Sequence, residues 1–410
     1  MTDNQCLRGM RDIKPDHAEH MRYIEQTLMD AAQKFGYQEI RFPIIEKASL
    51  FQKSIGIETD IIGQEMYAFS DKSETEIALR PEGTAGCLRS CLSNSLIQRD
   101  QQKLFYTGSM FRRERPQKGR YREFTQFGVE VFGFKTGLID VELINLTHTM
   151  WKSLNIKPTL TTNFIGSAET RSEYRNQLLA YWKTHQHQLT DAEQQRMLNN
   201  PLRLLDSKNP DLKPLIQAAP KIIDCLSKDE LACYQLIKSQ LDALNIKYHE
   251  NPYLVRGLDY YSHFIFEWIS TGLGAQDAIC GGGRYDMLTK QMGCETSATG
   301  FAIGIDRLAE LVPPAVSNHV KVFVCSPHQD TLHTYFHELS AIQSNKKIML
   351  YIDMSCKKVK NIEKHKEKGF THTLILFEEA FKLVNHGDGY SKRNSLDTLL
   401  QTLKDLPSTL

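Results

Sequence analysis

Residues 102–134 read as two long strands enclosing a loop, and that loop is strongly basic. Between positions 112 and 122 stand Arg112, Arg113, Arg115, Lys118, Arg120 and Arg122 against a single acid, Glu114. The whole chain has 50 Lys plus Arg and 49 Asp plus Glu, a net charge of +1. The loop therefore concentrates positive charge that the rest of the sequence balances. Arginine dominates it, and a planar guanidinium binds phosphate through paired hydrogen bonds. The return strand alternates unusually: Phe124, Gln126, Gly128, Glu130 and Phe132 share one face. At ~3.3 Å rise per residue, Gln126 and Glu130 stand ~13 Å apart with a glycine between them. Two polar side chains flanking bare backbone predict a slot for a polar molecule about the length of an amino acid.

The 410 residues suggest two or three domains. Charged residues at 24% and hydrophobic ones at 41% exclude wholesale disorder. No apolar run approaches the ~18–20 residues of a membrane span. The N-terminus, Met-Thr-Asp-Asn-Gln, has no apolar signal core, so a cytoplasmic protein without a membrane is expected. The nine cysteines form no C-x-x-C pair, which argues for reduced thiols rather than a zinc ribbon or disulfide framework. His185 and His187 have no Cys, Asp or Glu cluster beside them to complete a metal site.

Met21, Ile24, Leu28, Ala31 and Phe35 predict a helix over 16–35, with Asp16 and Glu19 as a capping box after Pro15. Residues 37–46 read as a strand, placed by Pro43 at an edge or interface. A short strand at 77–80 is followed by the turn RPEG and a helix from Thr84 to about Leu96. Residues 168–248 read as several helices. Strands return at 253–269 and 275–280, followed by a glycine run and a helix. LVPPAVSNHV at 311–320 reads as a linker. Beyond it, VFVCSP, IMLYID and TLILF alternate with helical patterns, the signature of a small α/β domain.

Further motifs carry chemistry. In LRPEGTAG, 79–86, Thr84 reads as a helix N-cap, and Glu82 with that hydroxyl could equally hold an ammonium group. VRGLDYYSHFIFEW offers Arg256, Asp259, Tyr260 and Tyr261 before an apolar strand. CGGGRYD leaves backbone open to close approach, yet it is neither of the common glycine-rich phosphate fingerprints. In ATGFAIGIDRL, Arg307 opens a helix. Taken together, Arg112, Arg120, Arg256 and Arg307 suit a polyphosphate and the charge that develops on it during nucleotidyl transfer. Glu82, Thr84 and Gln126 suit an ammonium. Glu130 with a tyrosine suits a neutral ring having one N–H and one bare nitrogen.

RPEGTAG, FRRERPQKGRYREFTQFGVEVFG, RGLDYY, GGGRYD and GFAIGIDRL together resemble the histidyl-tRNA synthetases, which are class II aminoacyl-tRNA synthetases. The resemblance spans essentially the whole chain, and RPQKGRYR looks like the bacterial version of its loop. It implies an α+β fold: an antiparallel sheet core flanked by helices over 1–165 and 250–315. Motif 1 would lie near 37–46, at a homodimer interface, motif 2 at 104–134 and motif 3 at 298–309. Residues 168–248 would form a helical insertion domain leaning on the tRNA acceptor arm, and 320–410 an α/β anticodon-binding domain.

The activity so implied has two steps. L-histidine attacks ATP to give histidyl-adenylate, with Mg²⁺ bridging the β- and γ-phosphates. The histidyl group then passes to the 3′-hydroxyl of the terminal adenosine of histidine tRNA. By the same resemblance, Glu82, Thr84 and Gln126 hold the α-ammonium, and Glu130 and Tyr261 hold the imidazole with Tyr260 close by. Arg256 sits at the α-phosphate and carboxylate, Arg112 and Arg307 clamp ATP, and Arg120 assists. Arg115 and Gln117 would read the extra 5′ guanosine of the tRNA. Six lysines at 357, 358, 360, 364, 366 and 368 face two glutamates and would meet phosphate near the anticodon stem. The tail departs from the family at IDMSCKK and ILFEEAFK, so no anticodon contact is assigned. The alternative is a catalytically inactive paralogue serving as regulatory subunit of an ATP phosphoribosyltransferase. Such paralogues lose the ATP-clamping arginines and the last domain, which this chain keeps.

Overall fold

The computed structural model describes residues 5–55, 61–97, 101–114, 119–205, 207, 209–254, 260–273, 277–314, 320–343, 348–355, 362–387, 389, 391–395, 398–404 and 406. The chain divides into two compact units, 1–314 and 315–410.

The first unit opens with α1 (Pro15–Lys34), which buries Met21, Ile24, Leu28, Ala31 and Ala32. Its first residue is Pro15, preceded by extended Lys14 with no side-chain cap. The capping box expected of Asp16 and Glu19 does not form. Proline starts the helix with a preset φ and has no N–H to satisfy. The strand expected over 37–46 is broken into β1 (Gln38–Glu39) and β2 (Ile45–Lys47). Pro43 lies in the gap, where it removes a ladder donor. After α2 (Ala48–Ile55) come β3 (Ala68–Ser70) and β4 (Glu76–Leu79), which join β2 in a small sheet of order β2-β4-β3. α3 (Thr84–Ser93) follows the RPEG turn.

β5 (Gln102–Phe111) and β6 (Glu123–Phe132) pair antiparallel along their full length, from Gln102 opposite Phe132 to Phe111 opposite Glu123. α4 (Leu138–Ser153) and β7 (Thr159–Phe164) lead into the helical stretch, α5 (Ala168–Thr184), α6 (Asp191–Asn199), α7 (Lys213–Ala218) and α8 (Lys228–Ala243). The chain returns through β8 (Tyr248–Glu250), β9 (Ser262–Ile269), β10 (Ala278–Arg284), α9 (Asp286–Gln291), β11 (Ala298–Gly304) and α10 (Ile305–Ala309). The resulting eight-stranded sheet has the order β1-β5-β6-β11-β10-β9-β7-β8 and is antiparallel except at its two ends. The glycine run expected after the strand lies inside it. Gly281–Gly283 are β10 residues paired with β9 and β11, and a side chain at Gly282 would strike Phe301 and the Gly300 carbonyl.

The sheet separates two cores. One face packs Phe127, Val129 and Val131 of β6 against α1 and α4. On the other face Tyr106, Phe132, Tyr260, Tyr261 and Tyr285 join one apolar cluster with Tyr174, Leu178 and Trp182 of α5.

In the second unit β12 (Val320–Cys325), β13 (Ile348–Ile352) and β14 (His372–Leu376) are parallel. The antiparallel strands β15 (Ala380–Asn385) and β16 (Ser391–Ser395) extend the sheet to the order β13-β12-β14-β15-β16. α11 (Gln329–Gln343) and α13 (Leu399–Lys404) cover one face. α12 (Glu363–Glu367) carries exposed Lys364 and Lys366, with exposed Lys368 just beyond it. Lys357, Lys358 and Lys360 lie outside the described residues.

One buried pair ties α4 to β10, the strand that leads into Tyr285. Arg284, the last residue of β10, donates through Nε to Asp140 of α4 at 2.8 Å and through Nη2 to the Thr136 carbonyl at 2.8 Å. The Thr299 hydroxyl donates to the same carboxylate at 2.8 Å. Removing one partner strands a buried charge. Asp140→Ala is therefore expected to cost about 3–5 kcal/mol in urea unfolding, and Asp140→Asn less because its oxygen still accepts. Equal effects of the two variants would contradict this.

Candidate active site

The turn that starts α3 is built by a carboxylate. Glu82, 2% exposed, accepts the backbone N–H groups of Thr84 at 2.7 Å and Ala85 at 2.9 Å. These are orphan donors of the helix N-terminus. Thr84 is consequently the first helical residue rather than its N-cap, and its hydroxyl is free to point elsewhere. It donates to Glu130 at 2.8 Å. Burial raises the pKa of Glu82, and the backbone N–H groups oppose that rise.

Glu130 is the centre of the arrangement. It is 1% exposed and accepts three hydroxyls: Thr84 of α3, Tyr106 of β5 at 3.1 Å, and Tyr285, which follows β10. Burial pushes its carboxyl up to about 8, while the hydroxyls pull the other way. Tyr260 and Tyr261 are both buried, their rings 4.9 Å apart, and Tyr260 lies 5.8 Å from Tyr285.

The slot between Gln126 and Glu130 is not floored by bare backbone. Tyr106, directly opposite Gly128 in the ladder, lays its ring over that glycine. A side chain at either Gly83 or Gly128 would collide with the ring. The two glycines thus make room for an aromatic floor. Gln126 closes the other end, its Oε1 accepting the Gly83 N–H at 3.1 Å.

Beyond Gln126 the slot opens into a cleft lined by Arg112, Glu114, Arg120, Asp306 and Arg307. Arg112 donates through Nε to the Pro81 carbonyl at 2.7 Å and lies 5.4 Å above the Phe124 ring. Glu114 sits 2.7 Å from Arg120 and 3.7 Å from Arg112. Arg307 donates to the Ala278 carbonyl at 2.8 Å. The site is therefore a buried polar slot leading into a partly buried, arginine-rich cleft, with Gln126 at the junction.

Of the expected site residues, the structure brings Glu82, Thr84, Gln126, Glu130, Tyr260 and Tyr261 to the slot, and Arg112, Arg120 and Arg307 to the cleft. Arg256, Arg115 and Gln117 lie outside the described residues. Sequence reasoning missed Tyr106, Tyr285, Glu114 and Asp306. Tyr285 stood inside GGGRYD, and Glu114 was the lone acid of the basic loop. Tyr106 gave no local signal, because its place depends on strand register. Among the described residues no group of three His, Cys, Asp or Glu could hold a metal ion, and no helix is long and apolar enough to cross a membrane.

Known proteins resemble this chain in sequence and fold. The family model described as histidyl-tRNA synthetase matches residues 9–308. The chain belongs to the histidyl-tRNA synthetase family. It is 49% identical over 309 residues to the histidine–tRNA ligase of Hydrogenovibrio crunogenus, covering 75% of this chain and 72% of that protein. It is 45% identical over 336 residues to the enzyme of Legionella pneumophila strain Paris, covering 80% and 79% respectively. Apo histidyl-tRNA synthetase from S. aureus superposes with a TM-score of 0.77 at 30% identity, over 98% of this chain and 100% of that one. The class II α+β fold and the synthetase family thus agree with the sequence reading.

The raised Glu130 carboxyl has a consequence for stability. Its pKa rises from about 4.5 unfolded to about 8 folded. The folded state then binds the extra proton between those values, so this contribution is complete below 4.5 and is lost as pH rises through 8. Glu130→Gln cannot titrate. In the ligand-free protein, the stability of this variant relative to wild type is expected to improve between pH 5 and 8, by up to roughly 1.4 kcal/mol per unit. Urea unfolding across that range checks it, and parallel curves for the two proteins would refute it.

Proposed function

We propose that the slot and the cleft divide the work of a histidine–tRNA ligase, the slot selecting histidine and the cleft holding ATP. The observation that carries this reading is the state of Glu130. Once ionised, the Glu130 carboxylate offers about four lone-pair positions, and three hydroxyls occupy three of them. The remaining position suits one N–H of a neutral imidazole, with the hydroxyl of Tyr261, beside Tyr260, for the opposite ring nitrogen. Glu82 keeps acceptor capacity after taking two backbone N–H groups. Together with Thr84 and Gln126 it would hold the α-ammonium. Asparagine and glutamine lack the ring shape, so polar mismatch in a dry slot would reject them without editing.

With histidine so placed, its carboxylate points toward the arginines. A carboxylate oxygen attacks the α-phosphorus of ATP, the bond to the β-phosphate oxygen breaks, and pyrophosphate leaves. Arg112, Arg120 and Arg307 would take the negative charge of the phosphates, and Arg256 the charge developing at the α-phosphate. In the second step the 3′-hydroxyl of the terminal adenosine attacks the histidyl carbonyl and AMP leaves. Mg²⁺ would arrive on the phosphates, where it supplies charge neutralisation. Among the described residues, the carboxylates lining the cleft, Glu114 and Asp306, are already paired with arginines.

Histidine tRNA would be met by Arg115 and Gln117 at the acceptor end, by the helices of 168–248, and by the unit at 320–410 through its anticodon. A cytoplasmic homodimer fits the same reading. Ile44, Ile45 and Phe69, each at least 44% exposed, flank the small sheet next to the motif 1 segment. The regulatory-paralogue alternative is disfavoured by the retained arginines of the cleft. The Bacillus halodurans protein titled as an ATP phosphoribosyltransferase regulatory subunit or histidyl-tRNA synthetase matches at 20% identity, which establishes common fold alone.

Pyrophosphate exchange into ATP, tested with each of the twenty amino acids, is expected with histidine only. Tyr285→Phe should raise KM for histidine about 10- to 100-fold, the scale of one hydrogen bond to a charged group, with KM for ATP changed less than about twofold. Equal changes in both would refute the division of the site. Exchange with no amino acid, in folded protein with Mg²⁺, would favour the paralogue.

A further inference from the structure

Asp306 is an acid in a cleft otherwise suited to phosphate. It is 3% exposed, directly precedes Arg307 and lines the same cleft. Its Oδ2 accepts the backbone N–H of Thr125 in β6 at 2.7 Å, which fixes α10 to the strand. Its Oδ1 accepts Arg11 at 2.5 Å. Arg11 lies on an N-terminal segment far away in sequence, 295 residues before Asp306. The same guanidinium stacks 3.7 Å from the centre of the Tyr121 ring, and Tyr121 also lines the cleft.

Backbone bonds hold this segment in place. The Arg122 N–H donates to the Gly9 carbonyl at 2.8 Å, and the Arg112 N–H donates to the Arg122 carbonyl at 2.9 Å. Gly9 has φ +89°, and a side chain there would lie 2.7 Å from Cδ of Arg122. Only glycine meets both demands. The segment at 9–11 thus backs the lining of the cleft, with Arg11 against Asp306 and Tyr121 and Gly9 alongside Arg122 at the returning end of the basic loop.

We propose that Arg11 is a positioning residue for the nucleotide, acting through Asp306 and Tyr121. The inference rests on the assignment of the cleft to ATP. Without Arg11, a buried carboxylate would face the incoming phosphates next to Arg307, and like charges in a partly desolvated site repel strongly. Tyr121 would also lose the plane against which it packs. Arg11 cancels the charge of Asp306, leaving the carboxylate to serve as the clamp between α10 and β6.

The test is pyrophosphate exchange with histidine for wild type, Arg11→Ala, Arg11→Lys and the double variant Arg11→Ala with Asp306→Asn. Wild-type exchange tests the underlying assignment, and the variants test Arg11. For Arg11→Ala, KM for ATP is expected to rise roughly tenfold, with KM for histidine changed less than about twofold. Arg11→Lys should recover part of the loss. The double variant should recover most of it, since asparagine keeps an acceptor for Thr125 and carries no charge. A structural role alone would make the double variant no better than Arg11→Ala, and that result would overturn the proposal. Equal increases in both KM values would overturn it as well. Histidine binding by calorimetry, normal in each variant, confirms that the slot has folded.

Discussion

A carboxylate at 1% exposure is costly unless its oxygens are occupied, and the catalytic unit is organised around occupying those of Glu130. Its three hydroxyl donors come from 46, 24 and 155 residues away along the chain. No local structure can assemble them. The RPEG turn must aim Thr84, β5 must lie in register with β6 to bring Tyr106, and β10 must end where Tyr285 can reach across. Each requirement passes a demand to the backbone. Tyr106 reaches Glu130 only by lying over Gly128 and beside Gly83, so those positions admit no side chain. Gly300 is tied in the same way, since a side chain there would collide with the Glu130 carboxylate. The glycines of this site are the negative image of the polar groups they accommodate.

The slot and the cleft obey different physics. The slot is buried, and its groups are bonded to one another before any ligand arrives, so a wrong side chain would leave buried groups unpaired. The cleft is partly buried. Its lining arginines rest on Glu114 or on backbone carbonyls, in contacts that solvent reaches in part. Exchanging such partners for phosphate oxygens costs little. On the proposed division of the site, selectivity would concentrate where burial is greatest, and charge stabilisation where rearrangement is easiest. Gln126 belongs to both, lining the cleft while it bonds the Gly83 backbone at the head of the slot.

The sequence disclosed those features whose signal lay within one segment. Polar Gln126 and Glu130 on the inward face of an otherwise apolar strand contradict the usual alternation, and that contradiction marked the site. The arginine cluster stood out against a balanced chain. What stayed hidden depended on pairing. Tyr106 is an unremarked aromatic until the ladder sets it opposite Gly128. Thr84 looked like a cap because Ser and Thr usually cap helices, but Glu82 two residues earlier took the donors and released the hydroxyl. The glycine run read as open backbone beyond the end of a strand, yet it lies within β10, between two strands whose side chains and carbonyls crowd it.

The helical stretch that follows β7 shares its core with the slot, which makes it more than an appendage. Tyr174, Leu178 and Trp182 of α5 lie in the same apolar cluster as Tyr106, Tyr260, Tyr261 and Tyr285. A single side chain reinforces the join. Arg171 of α5 donates to the Tyr261 carbonyl at 2.8 Å and to the sulfur of Met287 at 2.6 Å, two residues beyond Tyr285. One guanidinium thus grips both segments that bring tyrosines to the slot. A shift of α5 must break these bonds or move the tyrosines, and moving them disturbs the hydroxyl set on Glu130. Rigid packing transmits displacement rather than absorbing it. The position of this helix is therefore coupled to the hydroxyl set around Glu130, through atoms outside both the slot and the cleft.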